Sequence, residues 1–404
     1  MARQTLHVGV EIGTTKVAVI IAETRSDGLL RIIGSGEGGS RGVRKGEIVD
    51  ISKVTLCLTD AVAEAEEMAD REIKDIVLSV TGAHLETLNR RGGVPIGDDR
   101  NEIDEEDLHA VEQSALEVSI PAGHAFLHTM IQHYYVDGQE GVASPLGMVG
   151  RKLEAEFHIV HGQKTRIQNM IRCVEEANLL AGNVVMSGVA SALAVLDQGE
   201  KNMGALVIDI GGGTTDYILF LDGSVRQSGV LPVGGDHLTN DISIGLRVTT
   251  KWAEKLKTEE ADVAPGATAS RGVIEMDDPT YAGGKVERRV LNLVTEARVR
   301  EIFTILRRRL NFERHAPFVG AGIFLTGGTA DLRGIAALAS DVFGVPARVA
   351  KPRPLPGPSA LFESPRFSTA VGLVLYSEAA QAALADISIF DRLRNKLTRI
   401  IPGL

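Results

Sequence analysis

Residues 209–216, Asp-Ile-Gly-Gly-Gly-Thr-Thr-Asp, have the types and spacing needed to grip an anion. Glycines let backbone N–H groups approach a phosphate with no Cβ in the way, hydroxyls add donors, and a carboxylate can hold a cation that neutralises the phosphates. The apolar run from Ala205 to Ile208 reads as a buried strand leading in, and Tyr217 to Leu221 as a strand leading out. A P-loop or dinucleotide fingerprint places a helix after its glycines, and none is signalled here. The unit is therefore strand, glycine turn, strand. A plain tight hairpin is the simpler alternative, but Gly211, Gly212, Gly213, Thr214, Thr215 and two flanking aspartates exceed what a turn needs.

The same order of types occurs near the start of the chain. Glu11-Ile12-Gly13 matches Asp209-Ile210-Gly211, and Thr14-Thr15 matches Thr214-Thr215 if two glycines are skipped, with Lys16 following. Glu11 and Asp209 lie 198 residues apart, a period that implies a duplicated α/β domain rather than a solenoid. Two related lobes would set both hairpins around one phosphate chain in the cleft between them. Two further glycine pairs could serve that cleft. Gly234-Gly235 precedes a helix-like run, so backbone N–H groups at a helix start could meet phosphate there. Gly327-Gly328-Thr329 ends a strand and offers a bare backbone on which a flat base rests.

The elements that position these residues follow from periodicity. A third strand is expected within 28–49, a helix over 52–69 starting at Ser52, and a strand over 73–81. Residues 83–162 break the α/β alternation and read as an inserted subdomain, with a helix from Glu105 to Glu117 opened by Asp104 and strand-like pieces at 125–136 and 153–160. Its histidines, His124, His128, His133, His158 and His161, lack the spacing of a metal site, because residues four apart on an extended segment lie roughly 13 Å apart. A helix over 164–181, a strand at 183–186 and a helix from Ala190 to Leu196 lead into the central hairpin. Beyond it come a helix at 237–246 continued by 252–257, an irregular stretch at 258–286, and a long helix over 287–310. That helix carries Arg298, Arg300 and Arg307 on its polar face, which is either solvated charge or a surface for an acidic peptide. A helix over 332–343, a proline-rich connector and an apolar helix over 367–384 close the body.

A chain of 404 residues exceeds one ordinary core, so two lobes are expected. The net charge of −10 argues against nucleic acid as a partner. The two cysteines, Cys57 and Cys173, have no metal spacing and suit a reducing cytoplasm. No signal peptide and no membrane-spanning run is expected. The last residues are different. Ile389, Phe390, Leu393, Leu397, Ile400 and Ile401 share one helical face, while Arg392, Arg394, Lys396 and Arg399 fall elsewhere. A helix over 388–401 would be about 20 Å long, too short to span a bilayer but suited to lie in its interface. Each basic residue would add roughly 1 kcal/mol toward anionic lipid. The alanine-rich stretch Glu378 to Ala385 could act as a spacer between this tail and the body.

Together these stretches resemble the actin-like and Hsp70-like ATPase superfamily, and more narrowly the FtsA family of bacterial cell-division proteins. Val-Glu-Ile-Gly-Thr-Thr-Lys resembles the first phosphate motif, Asp-Ile-Gly-Gly-Gly-Thr-Thr-Asp the second, and Leu-Thr-Gly-Gly-Thr-Ala-Asp-Leu the adenosine motif. Val136-Asp-Gly-Gln with Pro145-Leu-Gly-Met-Val-Gly-Arg-Lys-Leu resembles that family's own insert, and Val233-Gly-Gly-Asp-His-Leu-Thr-Asn-Asp-Ile and the basic tail are similar to it as well. The resemblance implies an α/β fold of duplicated actin-like (RNase H-like) lobes around a nucleotide cleft, one inserted α+β subdomain and a C-terminal amphipathic helix. It implies a first lobe over 1–82, the insert over 83–163, the large and linking elements of a second lobe from 164–235 and 311–385, that lobe's small FtsZ-binding subdomain over 236–310, and a linker and membrane-targeting helix over 386–404. It further implies ATP with Mg²⁺, the cation held through water by Glu11 and Asp209. Phosphates would lie on Gly13 to Lys16, Gly211 to Thr215, Gly234 and Gly235, and adenosine on Glu254, Lys257 and Gly327 to Thr329. Implied partners are the FtsZ C-terminal peptide at Arg298, Arg300 and Arg307, further copies of the chain in a filament, anionic lipid, and later division proteins at the cytoplasmic face of the cell membrane. An actin-like scaffold for pilus assembly and a kinase of the superfamily are the alternatives.

Two departures bear on chemistry. The first acidic residue of the superfamily is usually Asp, and Glu11 stands here. Many members carry Glu-Pro ahead of the second phosphate motif, where the Glu positions the attacking water; the matching stretch is Met186-Ser-Gly-Val-Ala-Ser191, and Ser187 cannot act as a carboxylate base. Nucleotide binding with weak or absent hydrolysis is the expectation.

Overall fold

The computed structural model of the chain describes residues 5–25, 27–97, 101–276, 284–357 and 363–386. Two five-stranded sheets have the same topology. In the first, strands Leu30–Gly39, Lys16–Thr24, Thr5–Ile12, Asp75–Val80 and Leu180–Met186 lie side by side in that order. In the second, the order is Ser224–Leu231, Thr215–Leu221, Ala205–Ile210, Gly322–Thr326 and Ala347–Val349. Each sheet is an antiparallel meander of three strands whose first strand also pairs in parallel with a fourth, and the fourth with a fifth. The duplication inferred from two short motifs thus extends through both lobes.

The register corrects how the two motifs align. Glu11 pairs with Ala18 and Ile12 with Val17, while Asp209 pairs with Asp216 and Ile210 with Thr215. Each turn is closed by the same bond, Gly13 N–H to Lys16 O and Gly211 N–H to Thr214 O, both 2.9 Å. No residues are skipped. Thr14-Thr15 occupies the place of Gly212-Gly213, and Lys16 that of Thr214.

Two helices lie between the sheets, Ser187–Val195 and Ser368–Asp386, in an apolar core that draws Ile20 and Val77 from the first sheet and Val207, Ile218 and Phe220 from the second. They cross at Gly372, where an added Cβ would sit 1.8 Å from Ala190 O. Helix Ile51–Ala69 covers the outer face of the first sheet with Val54, Leu58, Ala61 and Ala65, and Asp50 caps it rather than the expected Ser52, accepting from Lys53 N–H.

Several boundaries differ from expectation. Residues 164–186, assigned to the second lobe, lie in the first, because strand Leu180–Met186 takes its parallel partner there. Helix Ser368–Asp386, also assigned to the second lobe, packs on strand Thr5–Ile12; an added Cβ at Gly9 would meet Ala370 O at 2.8 Å. That helix continues through the expected spacer as far as Asp386. The expected helix from 237 to 257 is two helices, Gly235–Leu246 and Thr250–Glu259, broken by Arg247 at φ 54° and restarted by the Thr249 cap.

The insert is a sheet of Leu85–Pro95, Lys152–Gln163, His124–Val136 and Gln139–Val142, with helix Glu105–Leu116 on one face. Its strands are longer than the sequence suggested, and Leu85–Pro95 was not expected at all, its glycines and arginines masking any apolar alternation. The sheet docks on edge strand Ser224–Leu231. There Thr87 Oγ1 donates to Ser228 O at 2.9 Å and His158 bridges Asn89 Oδ1 at 2.6 Å and Ser228 Oγ at 2.8 Å. Among the described residues no group of three or more His, Cys, Asp or Glu could hold a metal, and no helix is long and apolar enough to cross a membrane. The basic amphipathic tail, with Ile389, Phe390, Arg392, Leu393, Arg394, Lys396, Leu397, Arg399, Ile400 and Ile401, lies outside the described residues.

Candidate functional site

The two hairpins meet at the mouth of a cavity of about 570 Å³ between the lobes. An added Cβ at Gly213 would fall 2.4 Å from Thr14 Oγ1, and one at Gly212 2.4 Å from Thr15 Cγ2. The bare glycine backbone is what lets the turns approach this closely. Thr14, Thr15, Gly212 and Gly213 line the cavity, and their backbone N–H groups donate to no protein group among the described residues. Unpaired amides in a cleft are costly unless water or an anion takes them, so the donor set fits a phosphate chain. Gly13, Lys16, Gly211 and Thr214 complete the lining at this end.

Other expected phosphate residues have different work. Thr215 is fully buried and its Oγ1 donates to Val233 O at 2.8 Å. The amides at the start of helix Gly235–Leu246 are already committed: Gly235 N–H donates to Gly211 O at 2.9 Å and Asp236 N–H to Gly212 O at 2.8 Å, while Gly234 N–H donates to His237 Nδ1 at 3.2 Å. This helix start braces the second hairpin instead of presenting free N–H groups. Gly235 still lines the cavity, and Gly234 packs beneath the hairpin.

Glu254, Lys257, Gly327, Gly328 and Thr329 also line the cavity. Lys257 is buried, with Nζ 2.7 Å from Glu254 Oε2, 3.0 Å from Thr239 Oγ1 and 3.3 Å from Gly235 O. Gly327 holds φ at +84°, and an added Cβ would strike Asp209 Oδ1 at 2.2 Å, so only glycine lets that turn reach the cleft. Thr329 Oγ1 donates to Gly211 O at 3.1 Å and ties this turn to the second hairpin.

Acidic groups are concentrated at the phosphate end. Glu11 pairs with Lys16, and both line the cavity. Asp209 accepts from Ser191 Oγ and, at 3.1 Å, from Thr369 Oγ1; burial, with Glu11 adding to it, pushes its carboxyl up to about 6 against those hydrogen bonds. Asp216, not proposed as a site residue from sequence, accepts from Thr81 Oγ1 at 2.8 and 2.9 Å and is pushed up to about 8 by burial and by Asp209. Glu11 and Asp209 sit at matching positions of the two hairpins and both line the cavity; two carboxylates, each already paired, would meet a hard cation only through its water shell. Ser187 lines the cavity and donates to Val80 O at 3.3 Å. Thr81, Asp236, Asp331, Arg366 and Thr369 also line it. Asp236 and Asp331 lie within stretches already quoted for the resemblance, whereas Thr81, Arg366 and Thr369 come from elements far apart in the chain that no local motif announced.

The arginines of helix Arg288–Arg309 are engaged within the molecule. Arg298 Nε donates to Asp241 Oδ2 at 2.5 Å and Arg298 also pairs with Glu301; Arg300 pairs with Asp341 at 2.8 Å and Glu296 at 2.9 Å; Arg307 pairs with Glu313 at 3.2 Å.

Two lobes of identical strand order closing on paired hairpins define an actin-like fold. The structure is similar to a PilM–PilN type IV pilus biogenesis complex (TM-score 0.64, 17% identity, 92% of this chain and 98% of that one). It is also similar to MreB5 of Spiroplasma citri bound to ADP (TM-score 0.53, 14% identity, 96% and 98%). A family model described as Cell division protein FtsA matches residues 206–372, and one described as the SHS2 domain inserted in FTSA matches residues 82–161. The chain is 36% identical to Cell division protein FtsA of Pseudomonas aeruginosa over 95% of this chain and 91% of that one. It is 34% identical to that of Borreliella burgdorferi over 99% and 98%, and 33% identical to that of Escherichia coli K12 over 92% and 90%. The chain belongs to the FtsA family of cell division proteins.

Proposed function

We propose that this cell-division protein binds ATP with Mg²⁺ in the interlobe cleft, assembles into filaments on the cytoplasmic face of the membrane, and tethers FtsZ there while recruiting later division proteins. The observation that carries the nucleotide reading is the facing pair of hairpins, with four unpaired amides and Lys16 at one end of the cavity. Thr14, Thr15, Lys16, Gly212 and Gly213 hold the phosphates. Lys257, Glu254 and the Gly327–Thr329 turn take the nucleoside, and Glu11 and Asp209 orient the cation's water shell. The cation neutralises phosphate charge when bound.

Hydrolysis is slow on this reading. Ser187 holds no carboxylate to accept a proton from water, and burial and Asp209 push the Asp216 carboxyl up, against that role. Nucleotide then acts as a structural ligand that ties the lobes together. A phosphate-release turnover near 1 s⁻¹, on the order of an ordinary ATPase, would overturn this.

The tail supplies the membrane contact: one helix binds weakly, and a filament displaying many gains by avidity. Flotation with anionic vesicles should fail when residues 387–404 are deleted, with ATP affinity unchanged. For FtsZ, Leu293, Arg300 and Arg307 recur every seven residues and share one helix face, and Leu293 is exposed. An acidic peptide would displace Asp341 and Glu313 from the two arginines. Replacing Arg300 and Arg307 with alanine should weaken binding of an FtsZ C-terminal peptide at least fivefold by fluorescence anisotropy; unchanged binding would remove this face from the reading.

A further inference from the structure

Residues 43–48 form a small hairpin to which the preceding reading gives no role. Val43 pairs with Ile48 and Arg44 with Glu47, and the chain turns through Lys45 at φ 52° and Gly46 at φ 76°. A two-residue turn with both φ values positive favours Asn, Asp or Gly at its first position. Lysine there is held in a left-handed conformation that L side chains with a bulky stem avoid. Such a position persists only where the surroundings over-determine it, and it marks a functional candidate when they do.

The surroundings here are both phosphate hairpins. Gly46 N–H donates to Thr14 Oγ1 at 3.2 Å. An added Cβ at Gly213 would lie 2.9 Å from Lys45 N and Cα, and one at Gly46 would meet Thr81 Cγ2 at 2.9 Å and Thr214 Cγ2 at 3.1 Å. The turn is therefore wedged between the first hairpin, the second hairpin and Thr81, across the seam of the lobes. Its lysine, at the border of the cavity, differs from the two that line it. Lys16 and Lys257 are neutralised by Glu11 and Glu254, whereas Lys45 is exposed and makes no ion pair among the described residues. Its backbone abuts Gly213, and the next residue bonds Thr14, both of which line the cavity.

We propose that Lys45 is a further phosphate-binding residue, and that the 43–48 hairpin delivers it to the terminal phosphate of a nucleoside triphosphate where the two lobes meet. This rests on the nucleotide reading above. A lysine is a compact point charge on a flexible stem, suited to one phosphate group rather than to a planar bidentate contact. Charge at the seam, absent in a diphosphate, gives the unpaired ammonium its partner and makes the position of the hairpin depend on which nucleotide is bound.

The test compares ATP and ADP affinities, by competition against a fluorescent nucleotide, for the full chain and for Lys45→Asn and Lys45→Arg. Asparagine suits the turn and removes the charge, so loss of folding cannot explain a loss of binding. Lys45→Asn should bind ATP at least fivefold more weakly, with ADP changed less than twofold and an unliganded melting temperature no lower; Lys45→Arg should keep most of the ATP preference. An unchanged ATP-to-ADP ratio in Lys45→Asn, or equal loss of both nucleotides, overturns the proposal and leaves ATP binding standing. Failure of the unaltered chain to bind either nucleotide overturns the nucleotide reading and this proposal together.

Discussion

Burial displaces two pairs of ionisable side chains in opposite directions at two places in the molecule. Asp209 and Asp216 in the cleft are pushed up, to about 6 and about 8, mainly by burial. His128 and His158, where the insert meets the lobes, are pushed down by burial, to about 4 and about 3. His128 Nε2 accepts from Met186 N–H at 3.0 Å, and that bond needs a neutral ring. For the histidines the folded value lies below the unfolded one, so their contribution is whole above about 6.5 and is lost as pH falls toward 4. Each should lose on the order of 1–2 kcal/mol between pH 7 and 5. The carboxyls act the other way, favouring the folded state as pH falls from 8 toward 4. Global melting mixes the two signs, so the readout is local. Hydrogen exchange, corrected for intrinsic rate, should accelerate in strand His124–Val136 on acidification and not in strand Ala205–Ile210. At the phosphate end, Lys16→Ala should weaken ATP binding at least tenfold by titration, because it removes the buried cation of the cradle and leaves Glu11 unpaired.

The helices Ser187–Val195 and Ser368–Asp386 decide how closely the two sheets approach. Their crossing has no room for a side chain at Gly372, where Ala190 O and C would lie 1.8 and 2.4 Å from an added Cβ. Gly372→Ala should cost about 2–3 kcal/mol through overpacking, read as a lower midpoint in urea. Gly39→Ala, where nothing lies within 4 Å and φ is not positive, is the control. The sequence placed both helices and could not say that they face each other. Periodicity reports one helix's own face, whereas a crossing depends on two helices separated by some 180 residues. The helix start at Gly234-Gly235 shows the same limit. Its glycines suggested free amides, and the fold spends them on Gly211 O and Gly212 O.

Across the whole molecule the cavity draws on the first sheet, the second sheet, helix Thr250–Glu259 and the turn after Gly322–Thr326. A ligand there touches both lobes and must stabilise them as a unit. ATP at one hundred times its dissociation constant should add about 2.7 kcal/mol to unfolding, seen as one cooperative upward shift in calorimetry. Two separately moving transitions would contradict a shared site. The insert contributes nothing to the lining of this cavity and docks by polar contacts on strand Ser224–Leu231, so its removal should spare nucleotide affinity if the lobes still fold.

The sequence alone determined the paired hairpins, the duplication, the inserted segment and the glycine turn at 327, because each rests on local chemistry: strand periodicity, glycine at close approaches, acidic residues at fixed offsets. Tertiary structure decided the rest. It moved residues 164–186 and 368–386 to the first lobe through strand pairing and helix packing. It brought Thr81, Thr369 and Arg366 to the cavity from segments far from either hairpin. It aligned Thr14-Thr15 with Gly212-Gly213, which sequence matching had offset by two. These depend on which segments meet, and that follows from burial and hydrogen bonding summed over the whole chain.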